Sequence, residues 1–315
     1  MSSNVIYAQF GRGLAPVDRS PDAELPEGAE RLLGFAESEG WPIHPTVLVD
    51  TVRLVYLASQ PFERGASAIR QEPTLGARAL RLANGPAYAA ELPCMHVGAA
   101  IERLGERGVS TLLVGVACTR LYAGASEAEL AKRLVVRSAA VAFASEMILR
   151  QRGAPSADAL LAGCLHDIGW TCGLALAEQH AAHLPQRWRG DRSARIAGVA
   201  AVHAQLGAVA SRAWGLSAPI ADAIADHHAG VHADEAPLTQ AIALATRCVD
   251  QLAVAGDPAP LGFDTANLDN EAGPELRSDV WTELQRLGLA PERRCAVRPI
   301  RSDRRRSAKK IVRAS

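Results

Sequence analysis

The stretch Leu160-Leu161-Ala162-Gly163-Cys164-Leu165-His166-Asp167-Ile168-Gly169-Trp170 decides how this chain is read. A polar pair, His166-Asp167, interrupts a run that is otherwise apolar and small. Ser156 carries the hydroxyl expected of a helix N-cap, and Gly169 suits the position just past a helix end, so the spacing predicts one buried helix over Ala157–Ile168. An imidazole and a carboxylate in apolar surroundings are costly unless something pairs with them. A metal, a partner side chain or a hydrogen-bond network must therefore face them. Taken alone, the pair reads as a satisfied core His-Asp pair.

The composition around this stretch favours helices. The chain has 315 residues, enough for two domains or one large one. Hydrophobic residues make up 48%, which supports a real core, while aromatics make up only 4%. Abundant alanine favours close packing of helices over a β-sandwich. The formal charge is zero but uneven. Ten of the 34 Lys and Arg, and one of the 34 Asp and Glu, fall in residues 293–315. Residues 1–292 hold 24 bases against 33 acids, so an acidic body precedes a basic tail. A tail containing Arg304-Arg305-Arg306 reads as a solvated end with the chemistry to contact anionic partners.

The six cysteines, at 94, 118, 164, 172, 248 and 295, form no CxxC and sit largely in apolar contexts. They read as reduced thiols in a cytosolic protein. No charged-plus-apolar leader is present and no 18-residue apolar run is free of charge, so no transmembrane segment is expected.

Taken in order, residues 1–40 read as a flexible lead-in with one short helix at Ala29–Ser38. From Pro45 short helices follow one another. Phe62–Gln71 is stopped by Pro73, Thr74–Ala83 by Asn84-Gly85-Pro86, His96–Leu104 by Gly105, and Val109–Tyr122 by Gly124. Ser126-Glu127-Ala128-Glu129 has the spacing of a capping box opening a long helix to Arg150. After the central helix, residues 171–190 read as looser. Helices are expected at Ser193–Trp214, Ala218–His228, Pro237–Val254 and Pro274–Leu287. No period-2 strand and no strong internal repeat stands out.

Four histidines and one aspartate recur at or near helix ends in the second half: His166, Asp167, His203, His227 and His228. These are ligand types preferred by zinc, iron or manganese. One by one they read as core or surface residues, and spacing across four helices does not show that they converge. His44, His96, His180, His183 and His232 have no recognisable partners and read as loop or surface residues. No Walker spacing and no Ser-His-Asp or Cys-His nucleophile pattern appears.

The order of these motifs resembles the HDOD proteins, the HD-related output domain relatives of the metal-dependent HD phosphohydrolases. The resemblance covers about residues 41–255. It rests on Pro73-Thr74-Leu75, Leu80-Arg81-Leu82-Ala83-Asn84, Ala99-Ala100-Ile101-Glu102-Arg103-Leu104-Gly105, Leu165-His166-Asp167-Ile168-Gly169, His203-Ala204-Gln205-Leu206-Gly207-Ala208, Trp214 and His227-His228. It implies an all-α fold: a helical N-terminal bundle over 41–124 packed on an HD-like helical bundle over 125–256, then a loop and last helix over 257–292 and the tail 293–315. It also implies a bacterial signalling role as an output or adaptor module.

Two departures bear on the site. Where HD hydrolases carry a His on the helix before the His-Asp pair, Val135-Val136-Arg137-Ser138 aligns, so Arg137 stands in its place. Where they carry a late Asp, Leu244-Ala245-Thr246-Arg247 aligns, which puts Thr246 there, with Asp250 one helical turn on. A guanidinium neither deprotonates nor ligates and repels a cation. The first expectation is therefore a metal-free site in which Arg137 pairs with Asp167, in a protein that acts by contact with another signalling protein. The second keeps one divalent metal (zinc, iron or manganese) on Asp167, His203, His227 and His228, with phosphoester hydrolysis as its chemistry. A third is binding of a nucleotide second messenger without cleavage. The double His runs on as His228-Ala229-Gly230-Val231-His232, without the Gly-Tyr-Pro stretch of relatives that cleave cyclic dinucleotides.

Overall fold

The computed structural model describes residues 25, 28–38, 45–85, 88, 92–124, 126–228, 235–252 and 274–286. Among these residues the chain is helical and contains no strand. Thirteen segments, α1 to α13, run in chain order. They are α1 (Ala29–Ser38), α2 (Pro45–Ala58), α3 (Phe62–Gln71), α4 (Pro73–Ala83), α5 (Val97–Leu121), α6 (Ala128–Gln151) and α7 (Ala157–Leu165). Then come α8 (Ile168–Gln179), α9 (Gln186–Gly190), α10 (Arg192–Ala213), α11 (Ala218–Ala225), α12 (Pro237–Gln251) and α13 (Pro274–Arg286).

Local chemistry explains most boundaries. Pro73 opens α4 at its first position, where a missing N–H costs nothing, and Pro237 does the same for α12. Gly105 has φ 62°, outside the helical region, so α5 is kinked there and its two halves meet where the Gly stop was expected. The Asp191 carboxylate accepts from the amides of Ser193 and Ala194, which starts α10 earlier than Ser193.

The first bundle packs α2, α3 and α4 around α5, with Leu54, Ile69, Leu75, Ile101 and Leu113 buried between them. The Asn84 amide, at the end of the Leu80–Asn84 turn, donates to the Cys94 carbonyl at 3.0 Å and accepts from the Cys94 amide at 2.7 Å. In the second bundle α6 packs on α7 and α12, and α8 on α10 and α1. The bundles join at the end of α5, where the buried Tyr122 hydroxyl meets Ser138 Oγ at 2.8 Å and donates to the Cys164 carbonyl at 3.1 Å. Helix α1 has the expected bounds and buries Ala29, Leu32 and Ala36.

Several expectations are corrected. The predicted helix Ala157–Ile168 ends at Leu165, and a new helix starts at Ile168. Residues 171–190 are not loose, since α8 continues through them to Gln179 and α9 follows. Gly169 is not a helix-end residue. It lies in the first turn of α8, where an added Cβ would meet the His203 carbonyl oxygen at 1.7 Å. Glycine is needed there because two helix backbones touch. The capping box at Ser126 does not form. Helix α6 starts at Ala128 with Glu127, not Ser126, as its N-cap residue, and the Glu129 carboxylate accepts from Lys132. The helix expected to reach His228 stops at Ala225 and continues as a turn.

His180 is buried and stacks on Phe35 with ring centroids 4.1 Å apart, contrary to its reading as a surface residue. His96 caps α5, its Nδ1 accepting from the Ala99 amide. His44, His232, the loop 257–273 and the tail 293–315 lie outside the described residues. Cysteines 94, 118, 164, 172 and 248 are buried free thiols. Residues 157–179 form the one stretch, among those described, with the length and apolarity of a membrane span. It is mostly buried in the protein and broken by His166-Asp167.

Candidate metal centre

The break between α7 and α8 builds the centre. Asp167 is the N-cap residue of α8, with φ −99° and ψ 9°, and its side chain makes no capping bond. The carboxylate is free to turn inward, at a helix N-terminus whose dipole favours its charge. His166 ends α7, His203 projects from the middle of α10, and His227 follows the end of α11.

The three imidazoles are held by one device. Each Nδ1 meets the carbonyl three residues back: Gly163 at 2.8 Å, Ala200 at 2.8 Å and Ile224 at 2.7 Å. A carbonyl oxygen cannot donate, so each Nδ1 carries the proton. Burial pushes the His227 imidazole down to about 4, so its Nε2 is a bare lone pair at neutral pH. Such bonds fix ring orientation and tautomer.

Around Asp167 the side chains divide in two. On one side lies Arg137, from α6. Its Nη1 donates to Asp167 Oδ2, its Nε to Asp250 Oδ1 at 2.9 Å and its Nη2 to Asp250 Oδ2 at 3.0 Å. Nη1 also lies 2.7 Å from His166 Nε2, which must accept because arginine has no acceptor. Arg137 and Asp167 are completely buried, and Asp250 nearly so. Burial alone would raise the Asp167 carboxyl, but the Arg137 guanidinium beside it holds it well below the usual carboxylate range.

On the other side, Asp167 Oδ1 faces His203 Nε2 at 3.5 Å and His227 Nε2 at 3.6 Å. His203 Nε2 and His228 Nε2 are 3.1 Å apart, and all four donor atoms lie within 4.8 Å of one another. Neighbouring ligands in a tetrahedral shell with bonds of about 2.1 Å are about 3.4 Å apart. Asp167 Oδ1 and His227 Nε2 are buried and have no hydrogen-bond partner. Two lone-pair atoms that face each other in a dry interior repel unless a cation lies between them. The donor set and its spacing fit one divalent metal.

The expected pairing of Arg137 with Asp167 is present, and His166, Asp167, His203, His227 and His228 are brought together. Thr246 makes no hydrogen bond to the cluster. Its hydroxyl is buried without a hydrogen-bond partner, and Asp250, one turn on, meets Arg137. Sequence reading also missed Trp170, which stacks on His203 with centroids 5.0 Å apart, although its position three residues after Asp167 was a usable signal.

The HDOD domain family model matches residues 41–230. None of the curated proteins matches the chain. Among solved structures, an HDOD domain protein of unknown function from Geobacter sulfurreducens is 21% identical, with a TM-score of 0.51. The match covers 83% of this chain and 90% of that one. A protein of Shewanella amazonensis SB2B, provisionally named a metal-dependent phosphohydrolase, is 17% identical with a TM-score of 0.50. That match covers 82% of this chain and 97% of that one. At these identities the likeness is one of fold.

Proposed function

Because the chain belongs to the HDOD domain family, we propose that it is a bacterial, cytoplasmic signalling module that works by contact with another protein rather than by hydrolysis. The observation that carries this reading is the buried guanidinium of Arg137, held by Asp250 and Asp167 in the middle of the polar centre. A fixed cation there repels any second metal. On the remaining side, Asp167, His203, His227 and His228 would hold one zinc, iron or manganese ion. When bound, such an ion supplies Lewis acidity and the means to activate water. Four protein donors, however, complete a tetrahedral shell, the pattern of structural sites, whereas catalytic sites keep a position open. These residues come from the α7–α8 junction, α10 and the turn after α11. Their work in this reading is to tie those elements together and fix the surface they present to a partner. The basic tail is a second candidate contact, for an anionic partner.

The deciding experiment is a hydrolysis screen of the full chain against nucleotides and cyclic dinucleotides with added Mn2+ or Fe2+. No turnover is expected. A partner recovered from the native cell should then be retained by His166→Ala. Metal-dependent turnover abolished by His203→Ala would overturn the contact reading. It would establish the other one, a phosphohydrolase with a single metal. One observation favours that alternative: His228 is only half-buried, so it is the donor best placed to leave and open a position. Calorimetry with the same nucleotides tests binding without cleavage.

A further inference from the structure

Helix α1 precedes residues 41–230, the part of the chain that matches the HDOD model, yet it packs on α10 and α8 of the second bundle. Ala29, Leu32 and Ala36, at i, i+3 and i+7, form its buried face. Phe35 stacks on His180 at the end of α8, and its ring centroid lies 6.1 Å from that of His183. Arg31 Nη1 donates to the His183 carbonyl at 2.9 Å. At the start of the helix Gly28 has φ 95°, and an added Cβ would lie 2.6 Å from Pro185 Cδ. The Trp188 ring of α9 covers Gly198 of α10, where an added Cβ would lie 1.9 Å from it. These residues make a groove shaped to a helix with small residues at its two ends.

Three features make α1 weak on its own. It has ten residues, and isolated helices shorter than about 12–15 residues are marginal in water. Gly34 stands on its exposed side, where an added Cβ would meet nothing within 4 Å, so glycine weakens the helix there without serving any close contact. The last turn carries Glu37 and no base, the wrong charge for a helix C-terminus. The groove, rather than intrinsic propensity, holds α1 in place. We infer that α1 is an intramolecular strap, and that the groove it fills, formed by α8, α9 and α10, is the docking site for an amphipathic helix of a partner protein. That helix presents the same face as α1: small, leucine, aromatic and small residues at i, i+3, i+6 and i+7, with a base at i+2 for the His183 carbonyl. Docking is then an exchange of one helix for another, and the tethered strap sets the affinity that a partner must exceed. The walls α8 and α10 are also the helices that carry Asp167 at a cap and His203. The inference rests on the contact reading for the existence of a partner; the strap and the groove stand without it.

The test uses the full chain as wild type, Gly34→Ala and Leu32→Glu. Hydrogen exchange read by mass spectrometry follows α1 and α10, and fluorescence anisotropy follows binding of a labelled synthetic peptide with the sequence Gly28–Ser38. In wild type the α1 amides are expected to exchange at least about 100-fold faster than the buried amides of α10, by local opening. Gly34→Ala touches no neighbour and should slow α1 exchange about two- to fivefold while leaving α10 unchanged. Leu32→Glu should free the strap, keep α10 protected and bind the peptide at least about tenfold more tightly than wild type, in which the strap competes. Exchange of α1 in step with α10, or loss of α10 protection in Leu32→Glu, would make α1 an inseparable part of the core and overturn the inference. A folded Leu32→Glu that binds the peptide no more tightly than wild type overturns it as well. Neither readout involves metal, turnover or a native partner. Metal-dependent turnover in the hydrolysis screen would therefore sink the contact reading and leave strap and groove standing, while failure here leaves that reading to another surface.

Discussion

Arg137 Nε and Asp250 Oδ1 lie 2.9 Å apart inside the protein, joining α6 to α12 across 113 residues of chain. With the second contact, Nη2 to Oδ2 at 3.0 Å, the pair is bidentate, the strong form of an arginine–carboxylate bond. Breaking a buried ion pair by removing one partner typically costs about 3–5 kcal/mol, and since Arg137 keeps Asp167 when Asp250 is lost, the lower end of that range applies. Urea unfolding of Asp250→Ala is expected to show a loss of that order. An apolar pair, Arg137→Met with Asp250→Leu, should cost less than Arg137→Met alone, which strands the Asp250 carboxylate as well as that of Asp167. Losses under about 1 kcal/mol for Asp250→Ala would contradict the contact.

Gly169 and Gly115 make an opposed pair. A Cβ at Gly169 would sit 1.7 Å from the His203 carbonyl oxygen, whereas one at Gly115 would meet nothing within 4 Å. Gly169→Ala must push α8 away from α10 and is expected to destabilise by about 3 kcal/mol or more. Gly115→Ala lies in a helix and should stabilise by up to about 1 kcal/mol. Thermal melts of the two variants read both signs.

A bound ion should stabilise the fold through the four donors. At a free metal concentration of about 100 times Kd the gain is about 2.7 kcal/mol. Unfolding with zinc and with a chelator is expected to differ by that amount in wild type and to coincide in His203→Ala and His227→Ala. Equal metal stabilisation of the variants would rule out these residues as ligands.

The metal-free protein should lose stability on acidification. Burial pushes the folded His227 imidazole down to about 4, below its ordinary value of 6.5. Between these values the unfolded chain binds the proton and the folded one does not, so stability falls as pH drops. The span amounts to about 3 kcal/mol. Asp167 adds a further loss below the usual carboxylate range, where its depressed carboxyl must be protonated. Unfolding in chelator at several pH values between 7.5 and 4 should show the slope, and His227→Asn should flatten its upper part.

Much of the helical layout could be read from the chain because helix ends are local chemistry. Phe62–Gln71 and Ala29–Ser38 were read with the bounds they have, and Gly105 does mark a kink. Errors came where a side chain had a better partner elsewhere. Glu129, expected to reach back over the helix start, accepts from Lys132 instead, and His166-Asp167 leave the helix to line the centre.

By itself, then, the sequence determined that the chain is helical, where most helices start and stop, and which ligand-type residues it owns. The choice between Thr246 and Asp250, the inward turn of Asp167 and the convergence of three distant imidazoles were decided only in three dimensions. The reason is geometric. Residues one helical turn apart share a face, so periodicity cannot say which of them meets Arg137. That depends on how far α12 slides along α6, which is set by packing over the whole interface rather than by any local pattern.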